Sequence, residues 1–409
     1  MCDNRHYISE VPLSLNSVRK RVEAFLSSNG LRLAALERYV VISRDEDGDE
    51  IIAGGGLDGN VIKCVAVSEA ARSEGLMNIL VSRLIAIAHE EGHYSVKAFT
   101  KPANEDIFKS LGFELLASSN NAILMENGRG GLPVYRKYLE SLARPGRNGA
   151  IVMNANPFTK GHRYLIEQAA SQVDNLYVIV VKEDRSRFPY VERKAMIEAG
   201  CAGLDNVIVC EGSEYAVSAA TFPTYFLKQL DDATPTHIAL DLDLFVKHIA
   251  RPLGVTVRFA GSEPEDNLTH CYNEMMSEIL PAGGYNATSQ ENGIKFVEIP
   301  RLEQNGRPVS ATSLRKALDR GDLKAAMEFV PVSTVPYLIA ELAERSLRLE
   351  LDTTPKPGLV DKQDNGAHKD MDYALMSASI SALRPYLTKI AVRAVAGVNA
   401  AEIMSIGID

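Results

Sequence analysis

The 409-residue chain has no run of about 18 apolar residues, so no segment reads as a membrane-spanning helix. Its first stretch, Met1 to Glu10, is polar and lacks the apolar centre of a signal peptide. There is no basic excess either. Lys and Arg total 44 against 53 Asp and Glu, a formal net charge of −9, which argues against a protein that grips nucleic acid through a cationic face. Cysteine is sparse and unpatterned. Cys2, Cys64, Cys201, Cys210 and Cys271 form no CxxC pair and are odd in number, which speaks against a disulfide framework and against a structural zinc site. Each is expected to act as a small hydrophobe. Internal repeats and low-complexity tracts are lacking too. What is there is an ordinary globular composition, 46% hydrophobic and 24% charged, at a length that suggests two or three domains. The expectation is a cytoplasmic protein with no membrane or nucleic-acid partner.

Three blocks separate along the chain. In the first, Ile51 to Leu57 reads as a strand ending in a glycine turn, Asn60 to Ser68 as a second β-rich run, and Val96 to Phe99 as a third strand. Apolar residues at helical spacing predict a helix over Glu74 to Glu91, closed by Gly92, and Asn104 to Leu111 reads as a short helix. After a polar linker, Arg144 to Gly149, the second block opens on a strand, Ala150 to Met153. Further strands are expected at Leu176–Val181, Val207–Cys210, Ile238–Leu240 and Val255–Phe259, with helices between several of them. Such alternation predicts a parallel sheet covered by helices, an α/β architecture. The third block starts near Pro331 to Pro336 and is rich in Ala, Leu, Ser and Met, with helices expected at Val335–Glu350 and Met371–Leu383.

Directly after the first strand of the second block comes Asn154-Ala155-Asn156-Pro157-Phe158-Thr159-Lys160-Gly161-His162, leading into a helix. A strand, a Pro/Gly loop and a helix start make an anion site, because free backbone N–H groups and the helix dipole both favour phosphate. Gly161 lets the backbone approach closely, and His162 adds a donor toward charge developing on phosphorus. The bland alternative makes Thr159 a plain helix cap and His162 incidental. Far downstream, Val309-Ser310-Ala311-Thr312-Ser313-Leu314-Arg315 opens another helix with three hydroxyls and carries an arginine one turn in. Hydroxyls there cap free N–H groups and also bind phosphate oxygens, with Arg315 pairing to the same phosphates. Taken alone, this reads by default as a cap followed by a surface arginine.

Together the two motifs resemble the T/HxGH and ISSTxxR signatures of the nucleotidylyltransferase superfamily, with Val309 and Ala311 departing from the second pattern. Lys182 to Asp184, Phe188-Pro189-Tyr190, Glu192-Arg193, Arg258 to Pro264, Thr269, Tyr272 and Asn273 narrow the resemblance to the citrate lyase ligase family. That resemblance implies ATP-dependent acetylation of the prosthetic-group thiol on the citrate lyase acyl carrier subunit, from acetate by way of acetyl adenylate, with ATP and Mg²⁺. By the same resemblance His162 and Thr159 are catalytic and contact the α-phosphate region. Ser310, Thr312 and Arg315 hold the β- and γ-phosphates, and Asn156, Phe158, Gly161, Lys182 and Gly261 line the nucleotide pocket. Lys182 reads as readily as a solvated strand-end lysine, and Arg193 as a structural helix residue. No metal site made of protein ligands is expected.

Phe99 to Asn104 and Leu111-Gly112-Phe113 resemble the acetyltransferase-like N-terminal domain of that family, of the GNAT type. In Val67 to Met77, Arg72 and Gly75 match the GNAT acyl-CoA loop, which implies either a place for a CoA-like arm or a fold retained as a structural domain, and Met77 stands where a small residue is usual. The third block, through Thr354 to Asp361 and Asn365 to Asp372, resembles the opening of triphosphoribosyl-dephospho-CoA synthase, which implies phosphate or metal-nucleotide roles for Lys356, His368, Asp370 and Asp372. The expected layout is thus a GNAT-like domain over 1–130, a Rossmann-like nucleotidylyltransferase domain over 147–335, and a short all-helical fragment over 337–409. Three other functions fit parts of the pattern: adenylylation of a phosphopantetheine-like acceptor, a non-catalytic scaffold for CoA or citrate lyase, and acetyl transfer from acetyl-CoA, which Met77 argues against.

Overall fold

The computed structural model describes residues 6–353 apart from 49, 129, 183–185, 216–232, 264–266, 286–292 and 305–306, and beyond them residues 384, 385, 387–389 and 391. The first sheet has seven strands: β1 (Tyr7–Glu10), β2 (Arg38–Ser43), β3 (Ile51–Asp58), β4 (Val61–Val67), β5 (Ser95–Thr100), β6 (Glu114–Ser118) and β7 (Ile123–Gly128), in the order β1-β2-β3-β4-β5-β7-β6. Neighbours pair antiparallel except β4 and β5, which run parallel and pair only at Val61–Lys97 and Ile62–Ala98. A bulge in β4 opposite Gly54 and Gly56, with Cys64 at φ 54°, turns the rest of β4 away from β5. Helices α1 (Asn16–Ser28), α2 (Leu76–Glu90), α3 (Glu105–Ser110) and α4 (Leu132–Leu142) accompany this sheet. One face is closed by Leu76, Leu80, Leu84 and Ile87 of α2, the apolar stripe expected for that helix.

The second sheet has five strands: β8 (Asn148–Met153), β9 (Asn175–Val180), β10 (Val207–Cys210), β11 (Val255–Gly261) and β12 (Lys295–Ile299), in the order β10-β9-β8-β11-β12. The pairs β9–β10 and β8–β11 are parallel. Chain order reverses at β8, so the carboxyl ends of β8 and β11 are where an open α/β sheet binds ligands. In chain order after β8 come the helices α5 (Lys160–Ala170), α6 (Tyr190–Gly200), α7 (Ala233–Leu244), a π-helical turn (Phe245–Ala250), α8 (Arg251–Leu253), α9 (Asn267–Ala282), α10 (Ala311–Asp319), α11 (Leu323–Met327) and α12 (Val335–Thr353). The architecture is α/β throughout, a mixed seven-stranded sheet followed by a five-stranded one whose β9–β10 and β8–β11 pairs are parallel. Among the described residues no helix is long and apolar enough to cross a membrane.

By contacts the chain forms two compact units. One comprises Met1–Ala150, Ser213–Arg258 and Glu263–Val297; the other comprises Ile151–Gly212, Phe259–Ser262 and Glu298–Asp409. The expected strand at Ile238–Leu240 is instead the middle of helix α7. Thr236 to Leu240, Leu242 and Leu244 are all buried. A helix apolar on every side shows no helical period, so a short apolar run cannot be told from a buried strand. Leu240 and Leu244 pack in the first sheet's core with Leu26, Tyr39, Leu116 and Leu124. The helix expected from Val335 is present as α12, whereas Met371–Leu383 and the residues Lys356, His368, Asp370 and Asp372 lie outside the described residues.

Candidate active site

The chain leaves β8 through a tight turn in which Ala155 takes a left-handed conformation, φ 47°, an arrangement a non-glycine residue adopts only under constraint. Thr159 then caps α5, its Oγ1 accepting the His162 backbone N–H at 3.3 Å. In return the Thr159 backbone N–H donates to His162 Nδ1 at 3.0 Å, completing a capping box in which histidine takes the usual Glu or Gln place. With Nδ1 accepting, the ring proton resides on Nε2. The imidazole stacks on Phe158, ring centres 5.9 Å apart. Part of the residue's surface stays accessible, yet enough protein surrounds the ring for burial to lead in lowering its pKa to about 4, helped by the charges of Arg301 and Arg315. His162 is therefore a neutral imidazole near pH 7 with a fixed N–H donor.

The second motif meets the first. Ser310 caps α10, accepting the Thr312 N–H at 3.2 Å. A methyl group placed on Gly161 would lie 3.3 Å from the Val309 carbonyl, so the glycine lets the two helix starts come together. Arg315 spans the junction: Nη1 donates to the Asn156 carbonyl at 2.9 Å and Nη2 to Thr312 Oγ1 at 3.0 Å. Burial and the neighbouring Arg187 push its pKa down, with Asp319 opposing. Arg187 donates to Glu341 Oε1 at 2.8 Å and to Asp319 Oδ1 at 2.7 Å, beneath the same helix. Neither Arg187 nor Arg301 stood out in the sequence, because both lie in segments with no pattern beyond their charge.

The other expected residues fall differently. Asn156 lies beside the junction, its carbonyl accepting from Arg315 and its Oδ1 accepting the Phe188 N–H at 3.0 Å. Phe158 is fully buried, seated over Gly200, where an added methyl would come within 2.3 Å of its ring. It thus supports the histidine and leaves no surface for a nucleotide. Thr159 is 2% exposed and its hydroxyl is engaged in the cap. Lys182 is exposed beyond the end of β9, and Gly261 ends β11 with open space beside its Cα. Arg193 is structural: wholly buried, it donates to the carbonyls of Phe188, Asn154 and Val181.

In the other unit, Arg72 and Gly75 line a cleft of about 510 Å³ where β4 and β5 part, together with Met77, Phe99, Thr100 and Lys101. Gly75 has φ 72° and starts α2.

These motifs agree with what the chain is similar to. The family model described as "Citrate lyase ligase C-terminal domain" matches residues 148–338. A citrate (pro-3S)-lyase ligase of Klebsiella pneumoniae is 41% identical over 328 residues, 80% of this chain and 94% of that protein. This chain belongs to the citrate lyase ligase family. The Escherichia coli K12 ligase is 40% identical over 333 residues, 81% of this chain and 93% of its own length. Residues 336–409 match a different model, "ATP:dephospho-CoA triphosphoribosyl transferase". A 2-(5''-triphosphoribosyl)-3'-dephosphocoenzyme-A synthase of Escherichia fergusonii is 55% identical over 49 residues, 12% of this chain and only 16% of that protein. Among solved structures, Escherichia coli ElaA is 18% identical with a TM-score of 0.25, covering 30% of this chain and 99% of its own. An acyl-CoA N-acyltransferase of Pseudomonas aeruginosa is likewise 18% identical, with a TM-score of 0.26 and coverages of 30% and 100%.

Proposed function

We propose that this chain activates citrate lyase by acetylating the prosthetic-group thiol of its acyl carrier subunit, using acetate and ATP. A carboxylate oxygen of acetate attacks the α-phosphorus, the bond to the bridging oxygen breaks, and pyrophosphate leaves. The thiol sulfur then attacks the acetyl carbon of the adenylate, AMP departs with the bonding pair, and the thiol proton is released. The single observation that carries this reading is the junction of the two helix starts around a neutral His162. The Nε2–H of His162 donates to a non-bridging α-phosphate oxygen as charge builds there, and being neutral it gives up no proton in doing so. Arg315, Ser310 and Thr312 hold the β- and γ-phosphates. Such a reaction needs positioning and charge neutralisation more than a covalent enzyme group. Mg²⁺ in this reading would screen the charge of the triphosphate.

In the same reading, residues 1–130 receive the CoA-like arm. The cleft's inner wall is apolar, with Ile62, Val65 and Phe99, while Arg72 and Lys101 add positive charge. An amide-containing chain ending in phosphates is what such a lining accommodates.

The test is acetate-dependent exchange of pyrophosphate into ATP with Mg²⁺, wild type against His162→Ala. Exchange that needs acetate and falls about 100-fold or more in the variant is expected, the cost of losing one preorganised donor. Exchange without acetate would point to a different acceptor. Absence of exchange in folded wild type, with and without the carrier subunit, would refute the reading.

A further inference from the structure

We propose that the appended third segment braces the nucleotide site, through Arg384 as a positioning residue; this rests on the site described above. Arg384 lies in the part matched to the synthase family, whereas its partner Glu192 lies in the ligase part. The two form a fork: Nε to Oε1 at 2.9 Å and Nη2 to Oε2 at 2.8 Å. The remaining nitrogen, Nη1, donates to Glu344 of α12 at 3.0 Å. All three side chains are only 11–12% exposed, so the fork is shielded from solvent and salt, unlike an ordinary surface pair. The Arg384 guanidinium also sits 5.2 Å from the centre of the buried Phe188 ring.

Phe188 is the link inward. Its N–H donates to Asn156 Oδ1, and the Asn156 carbonyl accepts Arg315. A second strut runs from α12, where Glu341 pairs with Arg187, whose Nη1 also reaches the Arg315 carbonyl at 3.4 Å. Both struts end on the residues that join the two phosphate-binding helix starts. The Klebsiella ligase aligns over 94% of its own length with 80% of this chain, which leaves too few of its residues unaligned for a whole counterpart of residues 336–409. The Arg384 strut therefore belongs to the segment matched to the synthase family, and it couples that segment to ATP binding.

Amide hydrogen exchange on the full chain tests this without any nucleotide. Arg384→Ala is expected to speed exchange of peptides covering 154–162 and 186–193 roughly tenfold, the scale of losing a charge-assisted fork. Glu192→Gln, which keeps the side-chain shape, is expected to do the same and serves if the first variant fails to fold. Arg384→Lys, which retains charge but not the fork, is expected to fall between. In pyrophosphate exchange, KM for ATP rises several-fold while kcat stays within about twofold, a split that mere loss of folded protein does not produce. Unchanged protection of 154–162 in folded Glu192→Gln overturns the brace. Because that readout needs no catalysis, it decides the brace even if wild type shows no acetate-dependent exchange.

Discussion

The protonation of His162 is the sharpest consequence of the site geometry. Lowering the imidazole pKa from its ordinary 6.5 to about 4 corresponds to about 3 kcal/mol in favour of the neutral ring. At pH 6 only about 1% of His162 is then charged, against roughly three quarters of a free histidine. The sign follows from burial and from two nearby cations, all of which oppose a positive ring. The folded state favours the uncharged form, so this stabilisation is complete above pH 6.5 and is withdrawn as pH falls, being lost below about 4. Ring NMR with labelled histidine reads this directly. His162→Asn identifies the signal by deleting it, and titration from about pH 8 to about pH 3.5 gives the midpoint. A midpoint near 4, with the nitrogen pattern of an Nε2–H tautomer, is expected. A midpoint at 6 or above, or a proton on Nδ1, would refute both the capping-box tautomer and the neutral-donor role. The same reasoning expects no ionisation of His162 in the pH profile of exchange between pH 6 and 8.

Two further outcomes follow from packing. Gly161→Ala puts a methyl 3.3 Å from the Val309 carbonyl, which must give by a few tenths of an ångström. Stability should barely change, while KM for ATP rises a few-fold, since phosphate-site geometry tolerates little misplacement. Arg193→Met takes the donor from one buried and two half-buried carbonyls, which should cost about 3 kcal/mol in denaturant unfolding; a loss below about 1 kcal/mol would contradict the hydrogen bonds assigned to it.

Strands such as Ile51–Leu57 and Val207–Cys210 were legible as β-rich runs, whereas β1, β2, β6, β7 and β12 were not picked out, although Val40 to Ile42 of β2 is a β-branched run that ends in a polar turn. Helix α2 was legible from its apolar stripe. Residues 236–244 were not, because burial on every side erases the period that distinguishes helix from strand. Gly161, His162 and Arg315 could be named because helix starts and glycine impose local rules. That Phe158 would be sealed over Gly200, or that Arg187 would pass under Arg315, depends on side chains far apart in sequence, and no local pattern encodes it.

The burial of Leu240, Leu244 and Tyr215 in the first sheet's core has a consequence for synthesis. A growing chain that has emerged only as far as the linker near Arg144 already contains all seven strands of that sheet, but not the side chains that seal one of its faces. Apolar surface around Leu26, Tyr39 and Leu124 stays open until about a hundred more residues have been made, a window in which chaperones or neighbouring chains can bind it. A gene cut at the linker should for the same reason give an N-terminal product that aggregates, and one extended through Leu253 should remain in solution better.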